Sequence, residues 1–227
     1  MQAIILAAGM GKRLGKLTQN NTKCMLEVGG VRQIERALYI LDKKNLSRIV
    51  MVVGYQCENL MQFVDGLGID TPVEYIINEV YDRTNNIYSL SMTKDLLVKE
   101  DTLLLESDLA FGEALNDLLL EDSCETLALV DKLENWMDGT CLVVDEGDRI
   151  VDFIPGKLLE YSQKERYKKL TSRYGGKNIR YFARIHRAWK RAAELLEEQI
   201  LIKDLTGKIA NGGQYVRIAV RSRRENE

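Results

Sequence analysis

The sequence predicts a three-layer α/β fold, a mostly parallel sheet covered by helices on both faces. Three observations predict it. Apolar runs of strand length alternate with helical patterns through the first half of the chain. These runs are nearly continuous rather than alternating, as expected of strands buried on both faces. The chain has 227 residues, 45% of them apolar, enough for one sizeable core.

The elements follow in order. "AIILAA" is a strand, and "VRQIERALYILDKKN" has helical spacing with Ile34, Leu38 and Leu41 on one face. "RIVMVVG" is a second strand, "CENLMQFVDGLG" a short helix closed by glycines, and "PVEYIIN" a third strand. "NIYSLSMTKDLLV" reads as one helix, and "DTLLLESDLAF" as a fourth strand running into acidic residues. "ETLALVDK" is a fifth strand, and "CLVVDEGDRIVDFIPG" is two strands joined by a turn at Glu146-Gly147-Asp148. Residues 163–187 show little periodicity and many charges; beyond them "RAAELLEEQ" reads as a helix, "ILIKDL" and "GQYVRIAVRS" as strands. Ligands of such folds sit at the carboxyl ends of the strands. That rule gathers Ala7 to Arg13, Gly54, Asn78 and Asp108 along one edge.

Composition removes several function classes. A net charge of −2 gives no global basic field for nucleic acid or an acidic membrane. No signal peptide precedes the first strand and no apolar run reaches the roughly 20 residues a bilayer requires, so a cytoplasmic protein is expected. Cys24, Cys57, Cys124 and Cys141 form no C-x-x-C pair and read as free thiols. The single histidine, His186, argues against Ser-His-Asp and Cys-His chemistry. Catalysis is left to carboxylates, lysines, arginines and backbone.

The glycine-rich turn after the first strand carries the functional question. As a dinucleotide fingerprint it fails, because the third glycine falls on Leu14 and Gly15 is one residue late. As a Walker A loop it is one residue too long, and Leu17 stands where a magnesium-binding hydroxyl belongs. The remaining reading is a triphosphate held by backbone N–H groups of small residues, with Lys12 and Arg13 adding charge.

"LAAGMGKRL", "TKCMLEVGG", "NEVYDRTNNIYSLSM" and "LLLESDLAF", in that order, resemble the nucleotidyltransferases of the sugar-nucleotide and phosphocholine cytidylyltransferase type. Lys23 matches the family lysine, while Thr22 replaces its usual proline. The resemblance covers residues 1–162 and implies a Rossmann-like three-layer fold of the nucleotide-diphospho-sugar transferase type. It implies transfer of CMP from CTP to a small phosphate or phosphonate, such as phosphocholine or 2-aminoethylphosphonate, with release of pyrophosphate. Such a nucleophile is already ionised near neutral pH, so no general base is needed. Positioning and charge neutralisation carry the reaction.

The site residues implied are Leu6, Ala7, Ala8, Gly9, Met10 and Gly11 around the phosphates, with Lys12, Arg13 and Lys23 as cations. Lys23, Arg13 and Asp108 are the catalytic set, Asp108 as the Mg²⁺ ligand. Asn85, Asn86 and Ser89 are expected at the base or ribose, although Asn85 and its neighbours suit a helix cap equally well. Tyr88 and Trp136 are expected to meet the acceptor's amine or quaternary ammonium, and Lys132 and Asp138 its phosphate and amine.

The chain departs from the family beyond residue 162, where the usual second metal-binding aspartate has no counterpart. Residues 188–227 instead resemble the end of a PLP aminotransferase of the histidinol-phosphate type, with Arg217 or Arg221 in its R-I-A-V-R strand. This division implies a transferase domain, an unassigned junction at 163–187, and an aminotransferase-like remnant without transaminase activity.

Overall fold

The computed structural model describes residues 1–109, 111–121, 127–128, 130–133, 141–147, 150–154, 158–170, 182–185, 203–204 and 216–217. The chain begins with β1 (Gln2–Ala7), a 3-10 segment (Lys12–Thr18), a short 3-10 turn (Lys23–Met25), the small hairpin β2 (Glu27–Val28) and β3 (Val31–Arg32), and α1 (Gln33–Asp42). There follow β4 (Ile49–Val53), α2 (Cys57–Asp65), β5 (Val73–Ile77), α3 (Asn86–Ser91), α4 (Lys94–Leu97), β6 (Thr102–Glu106) and α5 (Glu113–Glu121). The remaining strands are β7 (Leu127–Ala128), β8 (Val130–Lys132), β9 (Cys141–Val144), β10 (Ile150–Ile154), β11 (Tyr167–Leu170), β12 (Phe182–Ile185), β13 (Lys203–Asp204) and β14 (Val216–Arg217).

The main sheet has the order β5-β4-β1-β6-β12-β7. Its first four strands are parallel, and β12 runs antiparallel to both neighbours. Strand alternation divides the core. Ala3, Ile5 and Ala7 of β1 pack with Ile34, Leu38 and Leu41 of α1 and Leu60 and Val64 of α2. Ile4 and Leu6 face the other way, with Val50, Val52 and Leu104, against Leu90, Leu96 and Leu97. Both faces of β1 are therefore dry, which is why its sequence is an unbroken apolar run. Among the described residues no helix is long and apolar enough to cross a membrane.

Three expectations are corrected. The helix expected over "NIYSLSMTKDLLV" is two short helices, because the Thr93 hydroxyl donates to the Leu90 carbonyl at 2.7 Å and breaks the run. The fifth strand is split: Leu127–Ala128 joins the main sheet, while Val130–Lys132 pairs with β11 in a second sheet of order β10-β9-β11-β8. Residues 163–187, without clear periodicity, supply β11 and β12, and β12 extends the main sheet. Glu146 and Gly147 form a turn after β9, and β9 and β10 pair antiparallel; Asp148 of the expected turn lies outside the described residues. β13 and β14 pair with each other.

Candidate active site

Strand order places the site. From β1 the chain builds outward through β4 to β5, then returns to lay β6 on the other side of β1. Such a reversal opens a crevice at the carboxyl ends of the two strands on either side of it. Leu6 of β1 lies opposite Glu106 of β6, so the loop after Ala7 and the residues after Glu106 form the two walls.

The first wall is the glycine-rich turn. Ala8 is buried and Gly9 exposed. Among the described residues none accepts a hydrogen bond from the N–H groups of Gly9, Met10 or Gly11, so these amides are available to an anion. Gly11 has φ 62°, and a Cβ there would lie 3.1 Å from the Thr18 methyl and 3.3 Å from Lys23 Cβ. Backbone conformation and close packing both require glycine, and the same approach lays Lys23 against the turn. The Thr18 hydroxyl donates to the Gly11 carbonyl at 3.1 Å and closes the 3-10 segment. Lys12 is exposed on that segment; Arg13 lies on it too, its side chain outside the described residues.

A second clamp comes from the end of β4. A Cβ on Gly54 would lie 2.9 Å from the Ala8 carbonyl oxygen and 2.7 Å from Tyr81 Cβ. The next residue, Tyr55, donates its N–H to that Ala8 carbonyl at 3.2 Å and its hydroxyl to the Gln19 carbonyl at 2.5 Å. The glycine-rich turn is thus held at both its start and its end.

The decisive contact joins the two walls. Lys23 Nζ forms an ion pair with Asp108 Oδ2. The Asp108 side chain is 7% exposed and that of Lys23 25%. Residues 85 positions apart in sequence, which the family resemblance assigns to phosphate and metal, are in direct contact. Beneath them Cys24 is fully buried, and burial pushes its thiol up to about 11 against hydrogen bonds from Thr22 and Ser107. It is an inert packing group.

Magnesium takes hard oxygen ligands and needs only one or two protein carboxylates when phosphates supply the rest. Asp108, a carboxylate beside a basic, amide-lined turn, fits such an ion.

The remaining expected residues divide. Asn85 caps α3, its Oδ1 accepting from Ile87 N at 3.1 Å and Tyr88 N at 3.3 Å. Ser89 is 3% exposed and its hydroxyl accepts from Asn78 Nδ2 at 3.1 Å. Asn78 also donates to the Thr84 hydroxyl at 3.0 Å and accepts from Val80 N at 3.1 Å, fastening the loop before α3. Asn86 is exposed and donates to Glu106 at 2.5 Å; Tyr88 is 44% exposed. Lys132 lies on β8, away from the main sheet, with its side chain outside the described residues; Trp136 and Asp138 lie wholly outside them.

Glu106 is a residue that sequence reasoning missed. Burial pushes its carboxyl up to about 7, opposed by the Asn86 hydrogen bond. The available signal was a charged residue closing the apolar run "LLLE" at a strand's carboxyl end.

A family model described as the MobA-like NTP transferase domain matches residues 3–180. The chain belongs to that family. It is 30% identical to the CTP:phosphoglutamine cytidylyltransferase of Campylobacter jejuni, over 58% of this chain and 53% of that protein. It is 37% identical to the choline-phosphate cytidylyltransferase of Haemophilus influenzae, over 49% of this chain and 46% of that protein. The chain thus spans about half the length of these curated relatives. Its fold matches the solved CTP:phosphocholine cytidylyltransferase of Streptococcus pneumoniae with a TM-score of 0.61 at 21% identity, over 87% of this chain and 76% of that one. The family match runs past residue 162 and takes in β11.

Proposed function

We propose that this MobA-like NTP transferase domain is a Mg²⁺-dependent cytidylyltransferase that moves CMP from CTP to a small phosphate or phosphonate, releasing pyrophosphate. The observation that carries the reading is the Lys23–Asp108 contact at the mouth of β1 and β6, beside backbone amides that no described residue accepts from. A cation, a metal-competent carboxylate and an anion-binding turn at one point suit a polyphosphate under attack. Relatives named for phosphoglutamine and choline phosphate support a zwitterionic phosphate acceptor.

In this reading the turn from Leu6 to Gly11 cradles the triphosphate, and Lys12 and Arg13 neutralise its β- and γ-phosphates. Lys23 grips the α-phosphate side and offsets charge that grows as pyrophosphate leaves. Asp108 holds magnesium, which supplies further neutralisation of phosphate charge. The acceptor's oxygen is already anionic, so this chain's residues align it and exclude water rather than remove a proton. Tyr88, with Lys132, Trp136 and Asp138, receives the acceptor. Residues 188–227 contribute no transaminase chemistry.

The test is pyrophosphate release from CTP and Mg²⁺ with phosphocholine, 2-aminoethylphosphonate or phosphoethanolamine, beside an Asp108→Ala control. Turnover with one acceptor, lost in the control, is the expected result. Calorimetric CTP binding without turnover would reduce the protein to a nucleotide-binding remnant. Turnover only with UTP and a sugar 1-phosphate would replace the acceptor class.

A further inference from the structure

Asp108 is claimed by a cation of this chain before any metal reaches it. Its Oδ2 is paired with Lys23 Nζ, and its side chain is 7% exposed against 25% for Lys23. The carboxylate has little water to fall back on, whereas the ammonium has a route to solvent. Lys23 is also pinned at its root and not at its tip. A Cβ on Gly11 would approach the Lys23 Cβ to 3.3 Å, and the next residue, Cys24, is buried. Beyond that root runs a flexible four-carbon stem ending in a compact charge with three donors. The turn packed against the root presents the N–H groups of Gly9, Met10 and Gly11, from which no described residue accepts. An anion on those amides is a rival to Asp108 for the same ammonium.

A metal at Asp108 has the opposite rival. Paired with Lys23, the carboxylate offers no net charge to a divalent ion, and the ammonium in contact with it repels that ion. Magnesium sheds its waters reluctantly and shares phosphate oxygens by preference, so one neutralised carboxylate is a poor ligand for it. A triphosphate reverses both disadvantages. Its several negative charges outcompete a single carboxylate for the ammonium, and its oxygens complete the metal's coordination.

We propose that Lys23 locks the metal position: its ammonium holds Asp108 against divalent cations and releases it only when a triphosphate draws the lysine away. The metal then enters with the nucleotide or after it, not ahead of it. The proposal rests on the cytidylyltransferase reading and adds to it a control over the order in which the ligands assemble. Lys23 serves twice, as counter-ion of Asp108 before loading and as a phosphate ligand after it.

The experiment is Mn²⁺ binding followed by EPR, with and without CTP and with a protein-free Mn²⁺–CTP solution as the blank. The proteins are the wild-type chain, Lys23→Met, Lys23→Gln, Lys23→Arg and Asp108→Asn. Without nucleotide, Lys23→Met and Lys23→Gln are expected to bind Mn²⁺ at least about fivefold more tightly than wild type, the lower range of coupling between sites. Lys23→Arg, which keeps the charge, stays as weak as wild type, and Asp108→Asn loses the site. The factor by which CTP tightens Mn²⁺ binding is correspondingly smaller in the two neutral variants than in wild type. A merely structural role for the pair predicts no gain in Mn²⁺ affinity from any change at Lys23. No gain in Lys23→Met and Lys23→Gln overturns the proposal, and leaves the cytidylyltransferase reading intact where CTP still tightens Mn²⁺ through Asp108. A gain that Lys23→Arg shares, or one that survives Asp108→Asn, overturns it as well. Absence of Mn²⁺ binding in every protein, with and without CTP, overturns both.

Discussion

Replacing Lys23 with Met removes the ammonium and keeps most of the stem. Asp108, 7% exposed, is then left as a nearly buried carboxylate without its cation. Breaking a buried pair costs about 3–5 kcal/mol. Lys23 is 25% exposed, so water screens the pair and the figure falls to about 2–3 kcal/mol. For a chain of this size that lowers Tm by roughly 5–10 °C. Asp108→Asn leaves an ammonium that can reach water and costs less, about 1–2 kcal/mol. The double variant, neutral on both sides, costs less than the sum by about 1–2 kcal/mol. Urea unfolding of the four proteins, without nucleotide or metal, measures each value. Additive effects, or a Lys23→Met protein within about 0.5 kcal/mol of wild type, would refute the view that this pair is a coupled, desolvated unit.

Glu106 predicts a pH-dependent stability. Its folded pKa of about 7 lies above the ordinary 4.5, so the folded state binds the proton more tightly. Stability therefore falls as pH rises from about 4.5 to 7, by up to about 3 kcal/mol, and Glu106→Gln should flatten that slope in metal-free denaturant titrations. Gly54→Ala forces a methyl against the Ala8 carbonyl and Tyr81, with approaches of 2.9 and 2.7 Å. Thermal unfolding should show a loss of about 1–3 kcal/mol, and a loss below about 0.5 kcal/mol would mean that the loop yields freely. Tyr55→Phe removes only the hydroxyl that holds the Gln19 carbonyl at 2.5 Å. About 1 kcal/mol of stability should go with it, together with a several-fold rise in KM for the nucleotide and little change in kcat.

The inner strands were legible because parallel strands buried on both faces have nowhere to put a polar residue. β1, β4 and most of β6 therefore read as apolar runs, and α1 shows its buried face through Ile34, Leu38 and Leu41. β12 was not legible. Its four residues, Phe182–Ile185, include Arg184, and their place beside β6 depends on a pairing with Thr102–Leu105 that no local pattern encodes. The division of "ETLALVDK" between two sheets has the same origin, since β7 and β8 take different distant partners.

The site divides along the same line. Lys23 and Asp108 could be named from local motifs, and the fold then placed them in contact. Asn85 and Ser89 carry side chains suited equally to a ligand or to the backbone, and only tertiary context decides which is met first. In the structure Asn85 meets the α3 amides and Ser89 meets Asn78. Asn86, exposed at the start of the same helix, is not consumed by the cap and reaches across to Glu106. One adjacent pair of asparagines thus does two jobs: the first holds the helix end, and that fixed end lets the second orient a carboxylate on another strand. A substitution that breaks the cap should therefore loosen the Asn86–Glu106 contact without touching Glu106 itself. Asn85→Ala costs about 1 kcal/mol of stability by capping energetics. It should also extend the fall of stability with pH beyond 7, because the Asn86 hydrogen bond that holds the Glu106 carboxyl down is loosened, and an unchanged pH profile would separate the cap from the carboxylate.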